Sequence, residues 1–95
     1  MSDVASVRID VWLWRARFFK SRVLSAQACA SGHIRLDRFG KVTRVEKASM
    51  AVKPEDRLLF VLGARLIDVI IVDLGERRGP APEAQTLYRP VTDQT

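Results

Sequence analysis

Residues 8–22 read RIDVWLWRARFFKSR, and this stretch carries the strongest pattern in the chain. Its apolar positions follow the spacing of one helix face, which predicts a first helix that ends near Phe19. Asp10 is the expected N-cap of that helix, because its carboxylate can accept a hydrogen bond from a free amide in the first turn. The positions on the expected core face are Ile9, Leu13 and Ala16.

A second helix is expected directly after the first. Ser21 is a good N-cap, and the sequence then continues to Gly32, the residue type that most often ends a helix in a left-handed conformation. The two helices therefore meet at Lys20 and Ser21. Arg22 falls in the first turn of the second helix, where backbone amides and the helix dipole favour an anion.

The remainder of the chain predicts strands. Residues 33–36 and 41–45 flank a turn at residues 37–40, and every third residue from 35 to 47 is basic, which favours a charged rim over a packed strand. The sequence LLFVL, a Gly63-Ala64 turn and RLIDVIIVDL predict an apolar hairpin with a type II′ turn. A short C-terminal helix with Pro82 in its first turn is expected to pack Leu87 and Tyr88 on the body.

These elements predict one α+β domain over residues 8–88, in which two N-terminal helices pack on a small, mostly antiparallel sheet. Residues 1–7 and 89–95 are expected to be flexible ends. A chain of 95 residues leaves little room for a second domain. Because LIDVIIVDL is short and carries two aspartates, no membrane span is expected. We expect the protein to be a cytoplasmic monomer. The N-terminus lacks the apolar core of a secretory signal, and the single cysteine cannot form an internal disulfide.

The charge is concentrated in the N-terminal half. The net charge is +5, and residues 1–48 hold ten Lys or Arg against four Asp or Glu, whereas residues 49–95 hold six against seven. Cations interleaved with aromatic rings are typical of surfaces that bind phosphate and stack on bases. We expect Trp12 to lie in the core, while Trp14 and Phe18 fit either the core or an exposed surface. The composition points to nucleic-acid binding.

Several motifs resemble the αL RNA-binding motif of the small-subunit ribosomal protein S-four. They are Arg8-Ile9-Asp10, Arg17, Lys20-Ser21-Arg22, Gly32-His33-Ile34, Lys47-Ala48-Ser49, and Val52-Lys53-Pro54 with Asp56. Within that superfamily, the segments Trp12-Leu13-Trp14 and 76–84, with Leu87-Tyr88, resemble the ribosome-associated heat-shock protein 15 family. The resemblance implies binding to rRNA of a free large ribosomal subunit that still carries a nascent chain on peptidyl-tRNA, in rescue or quality control of stalled translation.

The sequence departs from this family pattern at three places. A longer region, DRFGKVTRVEK, replaces the tight Asn-Gly turn of the family, and Glu55 replaces the glycine before Asp56. Ser25 and Cys29 stand where larger or more apolar residues are common, which slightly weakens the argument for how the second helix packs.

The proposed partner is RNA, with large-subunit rRNA first, peptidyl-tRNA second and non-specific DNA as a further candidate. No cofactor or metal is expected: one Cys and one His make a zinc site improbable, and no catalytic motif points to an enzyme. Gly32 is expected to act as a helix cap, and Asp10 is expected to have a structural role as a cap or as an ion-pair anchor. Two alternatives stay open, namely a protein-interaction module built on Trp14, Phe18 and the C-terminal helix, and an accessory RNA module of an RNA-modifying system. The predicted RNA-binding residues are Arg8, Arg15, Arg17, Phe18, Lys20, Ser21, Arg22, Gln27 and Arg35.

Overall fold

The computed structural model describes residues 5–91, which form short helices and an antiparallel sheet. In chain order the elements are β1 (Val7–Arg8), α1 (Ile9–Arg15), α2 (Arg22–Ala30), β2 (Ile34–Arg38), β3 (Lys41–Val45), β4 (Ala51–Val52), β5 (Arg57–Leu62), β6 (Arg65–Ile71), α3 (Ala81–Ala84), a 3-10 turn (Gln85–Leu87) and β7 (Tyr88–Pro90). No helix in this described part is both long and apolar enough to cross a membrane.

Five strands form one sheet in the order β3-β2-β5-β6-β7, and every neighbouring pair is antiparallel. β1 pairs separately with β4. Alternate residues of the sheet enter the core together with the apolar face of α1, which confirms the α+β fold. The fully buried residues that join the helices to the sheet include Ile9, Trp12, Leu13, Cys29, Leu36, Leu58 and Ile71.

The apolar hairpin is confirmed as β5 and β6. Leu62 pairs with Arg65 across a two-residue turn, in which Gly63 has a φ of +64° and Ala64 does not have a positive φ. This combination fits a type II′ turn, because that turn requires a positive φ only at its first central residue.

The basic segment after α2 is a regular hairpin at the edge of the sheet, which confirms the two predicted strands. Arg35, Lys41 and Arg44 are exposed, as the predicted charged rim requires, but β2 is also packed against the core. β2 and β3 pair over five residues each, from Ile34 with Val45 to Arg38 with Lys41. Ile34 and Val45 are buried, because alternate side chains point to opposite faces of a strand. A spacing of three therefore divides the basic residues between both faces of the hairpin.

α1 is shorter than expected and has a different cap. Arg8 occupies the N-cap position and Asp10 lies in the first turn without a capping bond, so the assignment of Asp10 as a helix cap was wrong. The helix ends at Arg15, because Phe18 N–H donates to Leu13 O and Arg17 N–H donates to Trp14 O. This is a Schellman motif with Arg17 at a φ of +67°, where glycine is the usual residue.

α2 begins and ends as predicted. The Ser21 hydroxyl accepts a hydrogen bond from Leu24 N at 3.1 Å, and Gly32 follows the helix with a φ of +81°. Ser25 and Cys29 are fully buried, and Ser25 Oγ donates to the carbonyl oxygen of Asp10 at 2.8 Å. These small side chains let α2 approach α1 closely enough for that bond.

The C-terminal segment contains one element that the sequence did not predict. Pro82 lies in the first turn of α3 and Leu87 is buried, as expected, but the chain then adds β7 to the edge of the sheet. Val7, Arg89 and Pro90 are strand residues, so the prediction of flexible ends was wrong for these three. The other predicted end residues outside 5–91 lie outside the described residues.

Candidate functional site

The aromatic residues of the basic stretch belong mainly to the core. Trp12 is fully buried, as expected. The Phe18 ring lies 4.9 Å from Tyr88, 5.6 Å from Phe60 and 6.2 Å from Trp12, measured between ring centroids. Because these rings cover it, we withdraw Phe18 from the predicted RNA-binding surface and assign it to the core.

Arg15 is held inside the protein by the segment of residues 73–79. Its Nη1 donates to Gly75 O at 2.8 Å and to Leu74 O at 3.3 Å. Trp12 reaches the same segment, where its Nε1 donates to Asp73 O at 2.9 Å. Nη1 of Arg15, which the sequence assigned to RNA, therefore donates to two carbonyl oxygens within the chain, and these contacts help to hold the fold together.

Two further arginines join α1 to this segment. Arg17 Nε donates to Gly79 O at 2.6 Å, although Arg17 is otherwise exposed. Arg78 Nε donates to Trp14 O at 3.1 Å, and its guanidinium lies 5.9 Å from the centre of the Trp14 ring. This role of Arg78 could not be predicted from the sequence, because the two partners are 64 residues apart.

The Arg8 charge is compensated within the chain. Its guanidinium forms two hydrogen bonds of 3.0 Å with the carboxylate of Asp10, and Asp10 is almost fully buried. The hydrogen bond and then the charge of Asp10 raise the pKa of Arg8. Asp10 therefore serves as an ion-pair anchor, and Arg8 contributes less free positive charge to the surface than the sequence suggested.

Lys20, Ser21 and Arg22 form the turn into α2, and we call these three residues the basic corner. Lys20 and Arg22 are exposed, and within residues 5–91 neither forms an ion pair or a side-chain hydrogen bond. The first turn of α2 contains no acidic residue. Two free cations thus stand at the positive end of a helix dipole, an arrangement that attracts a phosphate.

The β2–β3 hairpin, residues 34–45, continues the positive charge beyond α2. Arg35 and Arg44 are exposed and lie opposite each other across the two strands. Like charges in this position repel, so a bound anion would stabilise the pair. Arg44 was missed in the sequence because only the strand register places it beside Arg35. Gln27 is exposed on α2.

Arg38 has a different role from its basic neighbours in the hairpin. It donates from Nε and Nη2 to the buried carboxylate of Asp56, at 2.8 and 2.7 Å. The hydrogen bond to Asp56 raises the pKa of Arg38, while partial burial opposes that rise. Asp56 also accepts a hydrogen bond from Lys53 N, so this ion pair fixes the loop before β5.

Cys29 is unsuited to act as a nucleophile. Burial, with a smaller effect from the charge of Asp10, raises the pKa of the thiol to about 12. His33 is exposed, whereas Cys29 is fully buried in the core. Among the described residues there is no group of three or more metal-ligating side chains.

The chain matches the family model of the S4 domain over residues 7–58. It is 32% identical over 84 residues to a heat shock protein 15 homolog of Haemophilus influenzae and 34% identical over 82 residues to heat shock protein 15 of Escherichia coli strain K12. The matches cover 87% and 86% of this chain, but only 60% and 58% of those two relatives. The chain therefore spans less than two thirds of their length.

Two further matches cover most of both proteins. One is the RQC P-site tRNA stabilizing factor of Halalkalibacterium halodurans, which is 33% identical over 82 residues and matched over 86% of each chain. The other is a solved structure of Vibrio cholerae heat shock protein 15, described as trimeric. It superposes with a TM-score of 0.80 at 33% identity, over 92% of this chain and 83% of that one.

Proposed function

The chain belongs to the heat-shock protein 15 family and carries an S4 domain, and we propose that it binds rRNA of the large ribosomal subunit through the basic corner. One observation carries the proposal. Lys20 and Arg22 are exposed without a carboxylate partner in residues 5–91, at the start of a helix with no acidic residue in its first turn. A phosphate would satisfy both the side chains and the free amides of that turn.

The remaining contacts of the proposed surface are polar and exposed. Arg17 keeps its terminal nitrogens available while its Nε holds Gly79, and Gln27, Arg35 and Arg44 extend the surface along α2 and the hairpin. A regular RNA helix presents mainly its backbone and its shape to protein side chains. These contacts would therefore recognise the shape of a folded rRNA segment more than its base sequence.

We further propose that the preferred particle is a large subunit that carries peptidyl-tRNA, in rescue or quality control of stalled translation. The relative described as an RQC P-site tRNA stabilizing factor supports this proposal. A retained tRNA would add a second phosphate backbone beside the rRNA, and two linked contacts bind more tightly than either one alone. A monomer is sufficient for this role, because all the contacts named lie on one chain.

The protein-interaction alternative receives less support. It requires Trp14, Phe18 and the C-terminal helix to form one exposed surface, yet Phe18 packs among core rings and Arg78 lies over Trp14. Salt dependence separates the two hypotheses. RNA binding releases counterions, so the logarithm of the affinity should fall by about 0.7 to 0.9 for each phosphate contact per unit of log salt.

Pelleting with purified particles tests the proposal. We expect the parent protein to pellet with large subunits that carry peptidyl-tRNA in preference to empty large subunits and assembled ribosomes. Arg22→Ala should weaken this binding at least about tenfold, because a charge-assisted phosphate contact contributes about 1.5 to 3 kcal/mol. Arg22→Lys should recover only part of the loss if the contact is bidentate.

Arg89→Ala is the matched control. It removes the same side chain and charge from an exposed position on β7, at the opposite edge of the sheet from β3. Its binding should equal that of the parent. Unchanged binding of Arg22→Ala would exclude the basic corner, and equal binding of the parent to all three particles would remove the rescue role.

A further inference from the structure

Phe39 forms the tip of the β2–β3 hairpin and is the most exposed large apolar side chain among the described residues. Its relative exposure is 88%, although most aromatic residues of this protein pack in the core. A single exposed apolar residue is common in proteins and indicates nothing alone. Here a second, independent feature falls on the same residue.

The backbone of Phe39 is strained. The turn between Arg38 and Lys41 has two residues, Phe39 and Gly40, with φ values of +52° and +86°. Positive values at both positions define a type I′ turn, for which Asn-Gly is the preferred sequence. The expectation that a longer region replaces the tight Asn-Gly turn was therefore wrong, because the turn has only two residues and only the first departs from the preferred pair. A bulky side chain in this conformation is unfavourable, and such strain often marks a functional position.

The surroundings of Phe39 are positively charged. Lys41 and Arg44 on β3, and Arg35 on β2, are exposed and form no ion pair within residues 5–91. The one acid in the hairpin, Asp37, accepts a hydrogen bond from Gly40 N at 2.9 Å and so shapes the turn. Arg35 lies four residues from Phe39, roughly 13 Å along the strand, within reach of phosphates next to a base held at the tip.

We propose that Phe39 is a stacking platform for one unpaired base of the bound RNA. The proposal rests on the proposed function and adds to it the kind of RNA structure that is recognised, namely a loop or bulge beside a helix. A π-face presented by a rigid turn loses little conformational freedom on binding, and the neighbouring cations would hold the backbone on either side of the base. Regular RNA duplex, whose bases are all paired, would not use this contact.

The test compares two RNA probes of equal length and charge, a stem-loop with a single-stranded loop and a fully paired duplex. The parent should prefer the stem-loop by roughly 5- to 150-fold, the range expected for one stacked base. Phe39→Leu, which keeps an apolar side chain but has no π-face, should bind both probes as the parent binds the duplex. Phe39→Tyr should keep the preference. Leu66→Ala, at another exposed apolar position, is the matched control and should also keep it.

Two further measurements separate stacking from a structural role. Phe39→Asn should raise the urea midpoint of unfolding, because Asn suits the type I′ turn, and yet lose the stem-loop preference. In Phe39→Trp, the added tryptophan fluorescence should be quenched by the stem-loop and not by the duplex.

A stem-loop preference retained by Phe39→Leu would overturn the proposal, as would its absence in the parent. Failure of the basic corner is seen separately, because Arg22→Ala would then leave the binding of both probes unchanged.

Discussion

Replacing Arg15 with alanine should lower the free energy of unfolding of the protein but leave its affinity for RNA in place. Arg15 was assigned to RNA from the sequence, but its Nη1 donates to Gly75 O at 2.8 Å and more weakly to Leu74 O at 3.3 Å. The substitution leaves both carbonyl oxygens without this donor. It also removes the aliphatic chain that packs beside Gly75.

The size of the effect follows from the stronger of the two bonds. A hydrogen bond from a charged donor contributes about 1.5 to 3 kcal/mol, whereas the bond at 3.3 Å adds little. Arg15 Nε is buried without a hydrogen-bond partner among residues 5–91. Because the substitution also removes this unfavourable buried donor, part of the lost stabilisation is offset. We therefore expect a loss of roughly 2 kcal/mol in the free energy of unfolding, or about 10 °C in Tm for a domain of this size.

Urea unfolding, monitored by tryptophan fluorescence, measures this loss of stability. The RNA affinity is measured at a temperature well below the lowered Tm. Arg22→Ala is the matched control with the opposite expectation, namely a stability change below about 0.5 kcal/mol and a clear loss of RNA affinity. If Arg15→Ala instead lost tenfold in RNA affinity and less than about 0.5 kcal/mol in stability, Arg15 would be a phosphate contact and our assignment would be wrong.

Two other predictions concern Glu55 and Cys29. Glu55 has a φ of +80°, so Glu55→Gly should stabilise the protein by about 0.5 to 1 kcal/mol in urea unfolding, whereas Glu46→Gly, at an exposed position without a positive φ, should destabilise it. The pKa of the Cys29 thiol is raised to about 12, so the folded state retains a proton that the unfolded chain loses near its ordinary pKa of about 8.5. Stability should therefore fall as the pH rises from about 9 towards 12, by up to about 1.4 kcal/mol per pH unit, and an equal fall in Cys29→Ala would exclude the thiol as the cause.

The helices show where sequence reasoning succeeded and where it failed. α2 was predicted at both ends because its signals are local, a serine hydroxyl at the first turn and a glycine after the last. The end of α1 was missed because Arg17 occupies the left-handed position where a glycine would have given the signal. β7 was missed because three residues that include Pro90 carry no strand pattern of their own.

The functional residues divide in the same way. Lys20 and Arg22 are exposed, as their position at a helix start suggested, and Ser21 caps the helix. Arg15 could not be distinguished from them by composition, because its carbonyl partners lie about 60 residues further along the chain. Pairing of the strands likewise brings Arg44 beside Arg35, and no spacing along the chain reveals a partner across a hairpin.

The bonds between α1 and residues 73–79 also affect when the domain can form during its own synthesis. The S4 match ends at residue 58, before β6 and before the carbonyl oxygens that hold Trp12 and Arg15. A growing chain that stops at that residue lacks Ile67, Val69 and Ile71 of the core, so α1 has no complete surface to pack on. The packing that holds α1, and with it the turn into α2, would therefore be complete only after residues 67–75 have left the exit tunnel.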